Sequence, residues 1–100
     1  MTTPPADDDR WLVVDGRRWR RTDPAVPPDA REQLTSHLGR GRSAVRNAAS
    51  EAAVAAARQR VQLAKVGLGE RGTPWWDQTV DQRRERWEEA LRGLEALDDD

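Results

Sequence analysis

An Asp-Gly dipeptide between two short runs of strand-forming residues is the feature of this chain that most restricts its fold. Asp15-Gly16 follows the run WLVV at 11–14 and precedes the run RRWRR at 17–21. Because Asp-Gly suits the positive φ angles of a type I′ turn, segment 11–21 predicts a two-stranded β-hairpin. An isolated hairpin is only marginally stable in water, so the rest of the chain has to supply a surface on which it packs.

The two-residue turn also fixes the register of the hairpin. Leu12 pairs with Trp19 and Val14 pairs with Arg17, so Leu12, Val14 and Trp19 share one face. The other face carries Trp11, Val13, Arg18 and Arg20. We expect the first face to meet the core, with Trp19 and Trp87 as the largest core residues.

Three segments with apolar residues at helical spacing follow the hairpin. Pro28 opens a first helix at 28–47, and Ser50 caps a second at 51–67. Thr79 and Gln82 form a capping box for a third helix at 80–97, after a Gly/Trp loop at 67–78. The apolar stripes are Leu34, Leu38, Gly41, Val45 and Ala48; Val54, Ala57, Val61, Ala64 and Leu68; and Val80, Trp87, Leu91 and Leu94.

These elements predict an α+β, mostly α protein, in which an N-terminal β-hairpin is followed by a helical hairpin and a third C-terminal helix. In a chain of 100 residues we expect one small domain at 10–97, with disordered acidic tails at 1–9 and 98–100. Gly39 and Gly41 each weaken the first helix by about 1 kcal/mol relative to alanine, so we expect it to be bent or frayed. One long bent helix in place of the helical hairpin is the alternative.

The composition excludes several classes of functional site. The chain has no cysteine and one histidine, which rules out disulfides, structural zinc, iron–sulfur clusters and thiol catalysis. No carboxylate lies one helical turn from His37 to orient it, and Glu85, Glu88 and Glu89 have no histidine partner for a di-metal site. We therefore expect a protein that is not an enzyme, without catalytic residues, metal or cofactor.

The sequence also bears on location. No run approaches the roughly 20 apolar residues that a membrane-spanning helix needs. The first residues are acidic where a signal peptide would be basic and then apolar. We expect a cytoplasmic protein without a membrane partner.

Charge is segregated along the chain although the formal net charge is only -1. Segment 31–71 has eight basic and three acidic residues, whereas segment 72–100 has four basic and nine acidic residues. The two parts either neutralise each other within the fold or leave a basic surface for an anionic partner.

The Gly/Trp loop contains two adjacent tryptophans. Neighbouring residues of an extended segment point in opposite directions, so we expect one of the two rings to be exposed. Exposed tryptophan and arginine side chains dominate many protein interfaces, which makes Arg71, Trp75 and Trp76 the candidate partner-binding residues. The alternative is a helix C-cap followed by a tryptophan that closes the core.

A second candidate site combines the basic hairpin with the first helix. Its residues are of the types that contact phosphates and stack on bases. They are Arg17, Arg18, Trp19, Arg20, Arg21, Arg40 and Arg42. The alternative is an amphipathic hairpin whose arginines cover the tryptophan rings and stay solvated.

The hairpin with Asp23-Pro24, and the run AKVGLGERG at 64–72 with Pro74-Trp75-Trp76, resemble a family of small proteins of high-GC bacteria. Some members carry the label "biopolymer transporter Tol". The resemblance covers about residues 10–76 and implies no activity, so it assigns no functional residue. A Tol-type component would have a membrane anchor or a periplasmic address, and the sequence predicts neither.

Three functions are therefore compared below. The first is a small interaction module that binds an unknown protein partner through the hairpin and the Gly/Trp loop. The second is nucleic-acid binding without sequence specificity. The third is a self-associating structural unit, because the hairpin face with Trp11 and Val13 has no expected cover.

Overall fold

The structure, a computed structural model, describes residues 7–98, with side chains from Asp9 onward. It contains a short helix α1, a two-stranded antiparallel sheet, three long helices α2 to α4 and one 3-10 turn. Their bounds are α1 Asp7–Arg10, β1 Trp11–Val14, β2 Arg17–Arg20, α2 Pro28–Asn47, α3 Glu51–Leu68, the turn Trp75–Asp77 and α4 Val80–Asp98. The predicted α+β, mostly α fold is confirmed.

Local capping signals explain where the helices begin and end. The Ser50 Oγ accepts the Ala53 amide at 3.1 Å at the start of α3. At the start of α4, the Thr79 Oγ1 accepts the Gln82 amide at 3.1 Å, and the Gln82 Oε1 accepts the Thr79 amide at 2.9 Å. Helix α3 ends at Leu68, and the next residue, Gly69, has a φ of 82°, the left-handed conformation that favours glycine.

The predicted hairpin register is observed, but the predicted core face is wrong. Leu12 pairs with Trp19 and Val14 with Arg17, and Asp15 and Gly16 have the positive φ angles of the expected turn. However, Leu12, Val14 and Trp19 are 43%, 46% and 43% exposed. The hairpin instead docks through Trp11 on its other face, because the Trp76 ring supplies a partner there with a centroid distance of 5.5 Å.

The core lies among the three long helices. Leu34, Leu68 and Leu94, one from each helix, are completely or almost completely buried. Trp87 packs against this cluster and is partly buried, whereas Trp19 is not part of it. Val80, placed on the apolar stripe of α4 by its spacing, is exposed at the first residue of that helix.

Helices α2 and α3 form the helical hairpin, joined by three residues. Helix α2 is continuous through Gly39 and Gly41. Gly41 is buried where the two helices cross, and a Cβ built there would lie 2.8 Å from the Val61 Cγ2. The glycine therefore permits close approach of the helices instead of fraying α2.

The expected tails differ from the structure where it describes them. Residues 7–9, expected to be disordered, belong to α1, and residue 98 is the last of α4. Asp98 accepts hydrogen bonds from Arg60 and Arg40, which lower its pKa to about 2. The remaining tail positions, 1–6 and 99–100, lie outside the described residues.

Candidate functional site

Trp75 does not present the surface expected of a partner-binding residue. It is 3% exposed, and its Nε1 donates a hydrogen bond to the Arg21 carbonyl at 3.0 Å. The Arg83 guanidinium lies 5.1 Å from the ring centroid. Trp75 is therefore a core residue that ties the end of the hairpin to the start of α4.

Trp76 is half-buried at the junction of the hairpin and the loop. Its ring makes edge contacts with Trp11 and Trp75, at 5.5 and 5.1 Å between centroids. The Arg10 and Arg20 guanidinium groups lie 5.2 and 5.6 Å from it. The expected opposite orientation of the two tryptophans fails because they lie in a 3-10 turn and not in an extended segment.

Arg71 does not join these tryptophans in one exposed surface. It is exposed, and it donates a hydrogen bond to the Gln62 Oε1 on α3. The three residues predicted to bind a partner therefore have three separate roles, and two of them serve packing within the fold.

Two arginines of the predicted nucleic-acid patch are also used within the fold. Arg20 is half-buried, and its Nη1 donates to the Gly72 carbonyl at 2.9 Å. Arg40 forms an ion pair with Asp98 at 3.2 Å. Arg40 is nevertheless exposed, as are Arg17, Arg18, Trp19, Arg21 and Arg42. Arg21 donates from its Nε to the Trp11 carbonyl at 3.1 Å.

A buried ionic cluster, which was not predicted from the sequence, fixes the position of the hairpin. Asp23 is 1% exposed and accepts hydrogen bonds from Arg83 and, at 2.6 Å, from the Arg86 Nη2. Its backbone amide donates to the Leu68 carbonyl at 2.8 Å. Arg86 is largely buried because it reaches this carboxylate. Arg83 and Arg86 lie one helical turn apart, and this spacing was the sequence signal that could have indicated a shared carboxylate.

The same contacts determine the ionisation of Asp23. Burial by itself would raise the pKa of the carboxyl group. Hydrogen bonds from Arg83, Arg86 and the Ala25 amide outweigh burial, and the pKa lies below its usual value. Asp23 is therefore a charged structural residue and not a proton donor at neutral pH.

The exposed face of the hairpin, which carries Leu12, Val14 and Trp19, borders an open groove of about 720 Å³. We call it the hairpin groove. Its apolar wall consists of Leu12, Val14 and Trp19. Its basic lining residues are Arg20, Arg21, Arg31, Arg42 and Lys65. Glu70 is the acidic residue among the described lining residues, and it accepts a hydrogen bond from the Thr22 hydroxyl at 2.8 Å. Arg31 and Lys65 were not predicted, because they reach the hairpin only through the fold.

Positive charges are close together in this groove. Burial, and after it the charges of Arg71 and Arg42, lower the pKa of Lys65. The Lys65 Nζ lies 5.6 Å from the Trp19 ring centroid, and the Arg17 guanidinium lies 4.9 Å from it. An anion that enters the groove would therefore relieve repulsion between neighbouring cations.

A second depression, of about 670 Å³, continues the positive surface along the seam of α2 and α3. Arg42 lines both cavities. None of the described residues that line the second one is acidic. Six basic residues that line one or both of the cavities form what we call the basic face: Arg31, Arg42, Arg46, Arg58, Lys65 and Arg71.

The acidic helix α4 packs on the other side of α3. A Cβ built at Gly67 would lie 2.8 Å from the Ala90 Cβ, and one built at Gly93 would lie 3.6 Å from Leu63. Arg58 and Lys65 lie on the helix surface opposite Leu63 and Gly67. The acidic residues of α4 therefore do not cover the basic face.

His37 takes part in a polar cluster at the far end of the helices. Its Nδ1 lies 2.8 Å from the Arg60 Nη1, and the Arg60 Nη2 donates to Asp98 at 2.6 Å. Burial, followed by the charges of Arg60 and Arg40, lowers the pKa of His37 from 6.5, although Asp98 and Glu95 act in the opposite direction. This environment favours the neutral imidazole.

The lowered pKa of His37 predicts that stability falls as the solution is acidified. The unfolded chain binds the proton more readily, so the contribution of neutral His37 is complete above pH 6.5 and is lost below it. We expect the free energy of unfolding, followed over a pH series, to fall below pH 6.5 in the wild type and to fall less in His37→Gln. Urea denaturation of both proteins at each pH measures this, and parallel pH profiles would contradict it.

Among residues 7–98, no group of three or more acidic or histidine side chains could hold a metal ion. In the same part of the chain, no helix is long and apolar enough to cross a bilayer. Comparisons of the chain with models of protein families, with curated proteins and with solved structures find no match.

Proposed function

We propose that this protein is a non-enzymatic, nucleic-acid-binding protein of the cytoplasm, and that it binds through the basic face and the hairpin groove without sequence specificity. The observation that carries the proposal is the continuity of this positive surface around the exposed Trp19 ring. Arginine and lysine contacts to phosphates provide most of the affinity in such complexes. Aromatic side chains add stacking with bases.

The distribution of charge over the surface supports the proposal, whereas the net charge does not. The net charge is -1, which on its own favours no nucleic-acid partner. The acidic side chains of α4 lie across α3 from the basic face, so the local potential at Arg42 and Lys65 remains positive. Such segregation attracts an anionic chain to one side of the molecule.

A protein partner with an acidic surface is the second candidate. It is favoured by the exposed apolar side chains Leu12, Val13 and Val14 of the hairpin, which are of the kind that anchor protein interfaces. The basic face would complement acidic residues of such a partner. A second copy of the chain is the third candidate occupant, and sedimentation at increasing protein concentration tests it directly.

Arg42 provides the sharpest test of nucleic-acid binding, because it lines both cavities. We expect the wild type to bind a labelled mixed-sequence oligonucleotide with an affinity that falls steeply between about 50 and about 200 mM salt. Arg42→Ala should weaken binding and reduce the slope of log affinity against log salt by about 0.7 for a single strand. Fluorescence anisotropy measures both quantities.

The matched control is Arg92→Ala, which removes an exposed arginine from α4, away from the basic face. It should leave the affinity and the salt dependence close to those of the wild type. Absence of wild-type binding at low salt would overturn the proposal and favour a protein partner. Equal losses in Arg42→Ala and Arg92→Ala would contradict the assignment of the basic face as the binding site.

A further inference from the structure

We infer that the hairpin groove makes the protein select single-stranded over double-stranded nucleic acid, with an unpaired base stacked on Trp19. This inference rests on the proposed function and adds the class of nucleic acid. It depends on the arrangement of apolar and charged groups within the groove, whereas the proposed function depends only on the presence of a positive surface.

The groove has an apolar wall facing cationic side chains. Leu12, Val14 and Trp19 form the wall, and Arg31, Arg42 and Lys65 come from α2 and α3 opposite the hairpin. An unpaired nucleotide has the same two parts, a flat and largely apolar base joined to an anionic phosphate. A base against Trp19 would bring its phosphates to the arginines and the lysine.

Trp19 is available for this role because its ring lies on an exposed face of the hairpin. The ring is outside the helical core and 43% exposed, although tryptophan is among the side chains that gain most from burial. Trp75, Trp76 and Trp11, in contrast, pack on one another. Trp19 is thus a partly exposed aromatic ring within a basic groove, near the Arg17 and Lys65 cations.

The Arg17 guanidinium lies over this ring in the free protein, 4.9 Å from its centroid. Arg17 belongs to the exposed turn end of the hairpin, so its side chain can move without a change in the fold. A base that stacks on the indole takes the place of the guanidinium, which then contacts the neighbouring phosphate. Guanidinium planes themselves stack on bases, so the cation is compatible with this surface.

A duplex does not offer the same fit. Its bases are paired and stacked inside the helix, and only its phosphates are free to contact the cationic side chains of the groove. Placing a base on Trp19 would require that base to leave the stack, which costs free energy that a single strand does not pay. The basic face still attracts a duplex, but with the phosphate contacts alone.

The test compares one mixed-sequence oligonucleotide with the duplex of the same sequence, by anisotropy at one salt concentration. We expect the wild type to bind the single strand more tightly. Trp19→Ala should lower the affinity for the single strand about tenfold and leave the affinity for the duplex nearly unchanged. Trp19→Phe, which keeps an aromatic face, should retain most of the preference.

Two controls separate stacking from damage to the hairpin. Val13→Ala removes an exposed side chain from the opposite face of the hairpin and should preserve the preference. Circular dichroism and urea denaturation should show an intact fold in Trp19→Ala, since that ring lies outside the core. In addition, single-strand binding should quench the tryptophan fluorescence of the wild type more than that of Trp19→Phe.

The outcomes distinguish this inference from the proposed function. Equal wild-type affinities for strand and duplex, or equal losses for both in Trp19→Ala, would overturn the inference while nucleic-acid binding stands. Absence of binding to either one would overturn both. Binding of an acidic peptide alone, with the same dependence on Trp19, would assign the groove to a protein partner and overturn both as well.

Discussion

Replacement of Asp23 by alanine is expected to lower the free energy of unfolding by about 3–5 kcal/mol, a large share of the total for a domain of this size. The variant leaves Arg83 and Arg86 close together without the carboxylate that they share. Both guanidinium groups are largely buried, with 17% and 8% of their side chains exposed, so water replaces the lost partner poorly. The hydrogen bond from the Ala25 amide, which shapes the turn after β2, is lost as well.

Urea denaturation of the wild type, Asp23→Ala and Asp23→Asn measures the effect. Asparagine keeps the shape and one acceptor oxygen but not the charge, so we expect an intermediate loss of stability. Glu89→Ala removes an exposed carboxylate of α4 and should change stability by less than about 0.5 kcal/mol. A loss below about 1 kcal/mol in Asp23→Ala would show that the cluster does not hold the fold together.

The stabilisation by Asp23 also has a defined pH range. Because its pKa in the folded protein is lower than the ordinary value of 3.8, the contribution is complete above that value and is lost as the pH falls further. This range lies well below that of His37. The two groups can therefore be distinguished in one series of measurements.

Under the proposed function, Asp23 also bears on binding, because it positions the hairpin that carries Trp19. Its backbone amide bonds to the end of α3, and the neighbouring Arg21 carbonyl accepts the hydrogen bond from Trp75. These contacts hold the chain where β2 ends, and Trp19 lies only a few residues before that point. A loosened cluster would widen the hairpin groove without removing any residue from its lining.

Local signals in the sequence predicted most of the secondary structure. Asp15-Gly16 defined the hairpin and its register, and Ser50 and Thr79 defined the starts of two helices. Each of these signals acts over three or four residues, so no knowledge of the fold was needed. The alternation of side chains along a strand defines two faces, but which face is buried depends on which other part of the chain packs against the hairpin. The Gly/Trp loop provides that surface through the Trp76 ring, so the hairpin packs through the face that carries Trp11.

The candidate site was predictable only in part, for the same reason. Trp19 and Arg42 were identified from composition and spacing, while Arg31 and Lys65 line the same groove only because the fold brings α2 and α3 beside the hairpin. Arg40 could have been excluded from the sequence alone. It lies two residues before Arg42, hence about 200° around the helix, and the structure shows it on the side of Asp98.

Alanine substitutions of the two glycines inside α2 are expected to have opposite effects on stability. A Cβ at Gly39 meets no heavy atom of the described residues within 4 Å, so Gly39→Ala should stabilise the protein by about 1 kcal/mol through helix propensity. A Cβ at Gly41 would lie 2.8 Å from the Val61 Cγ2 and 3.2 Å from the Val61 backbone nitrogen. Gly41→Ala should therefore destabilise the protein by about 1–3 kcal/mol.

The reason for the difference is the backbone of α3. A flexible side chain could turn away from a new methyl group, but the Val61 nitrogen and the Ala57 carbonyl oxygen, 3.3 Å from the added Cβ, move only if the helices separate. Urea denaturation of both variants gives the sign of each change in the free energy of unfolding, and each variant serves as the control for the other. Equal stabilisation by both substitutions would mean that α2 and α3 are further apart in solution. Arg42 follows Gly41, and Lys65 of α3 lines the same groove as Arg42. A separation of the two helices would therefore also move these two cations of the basic face apart.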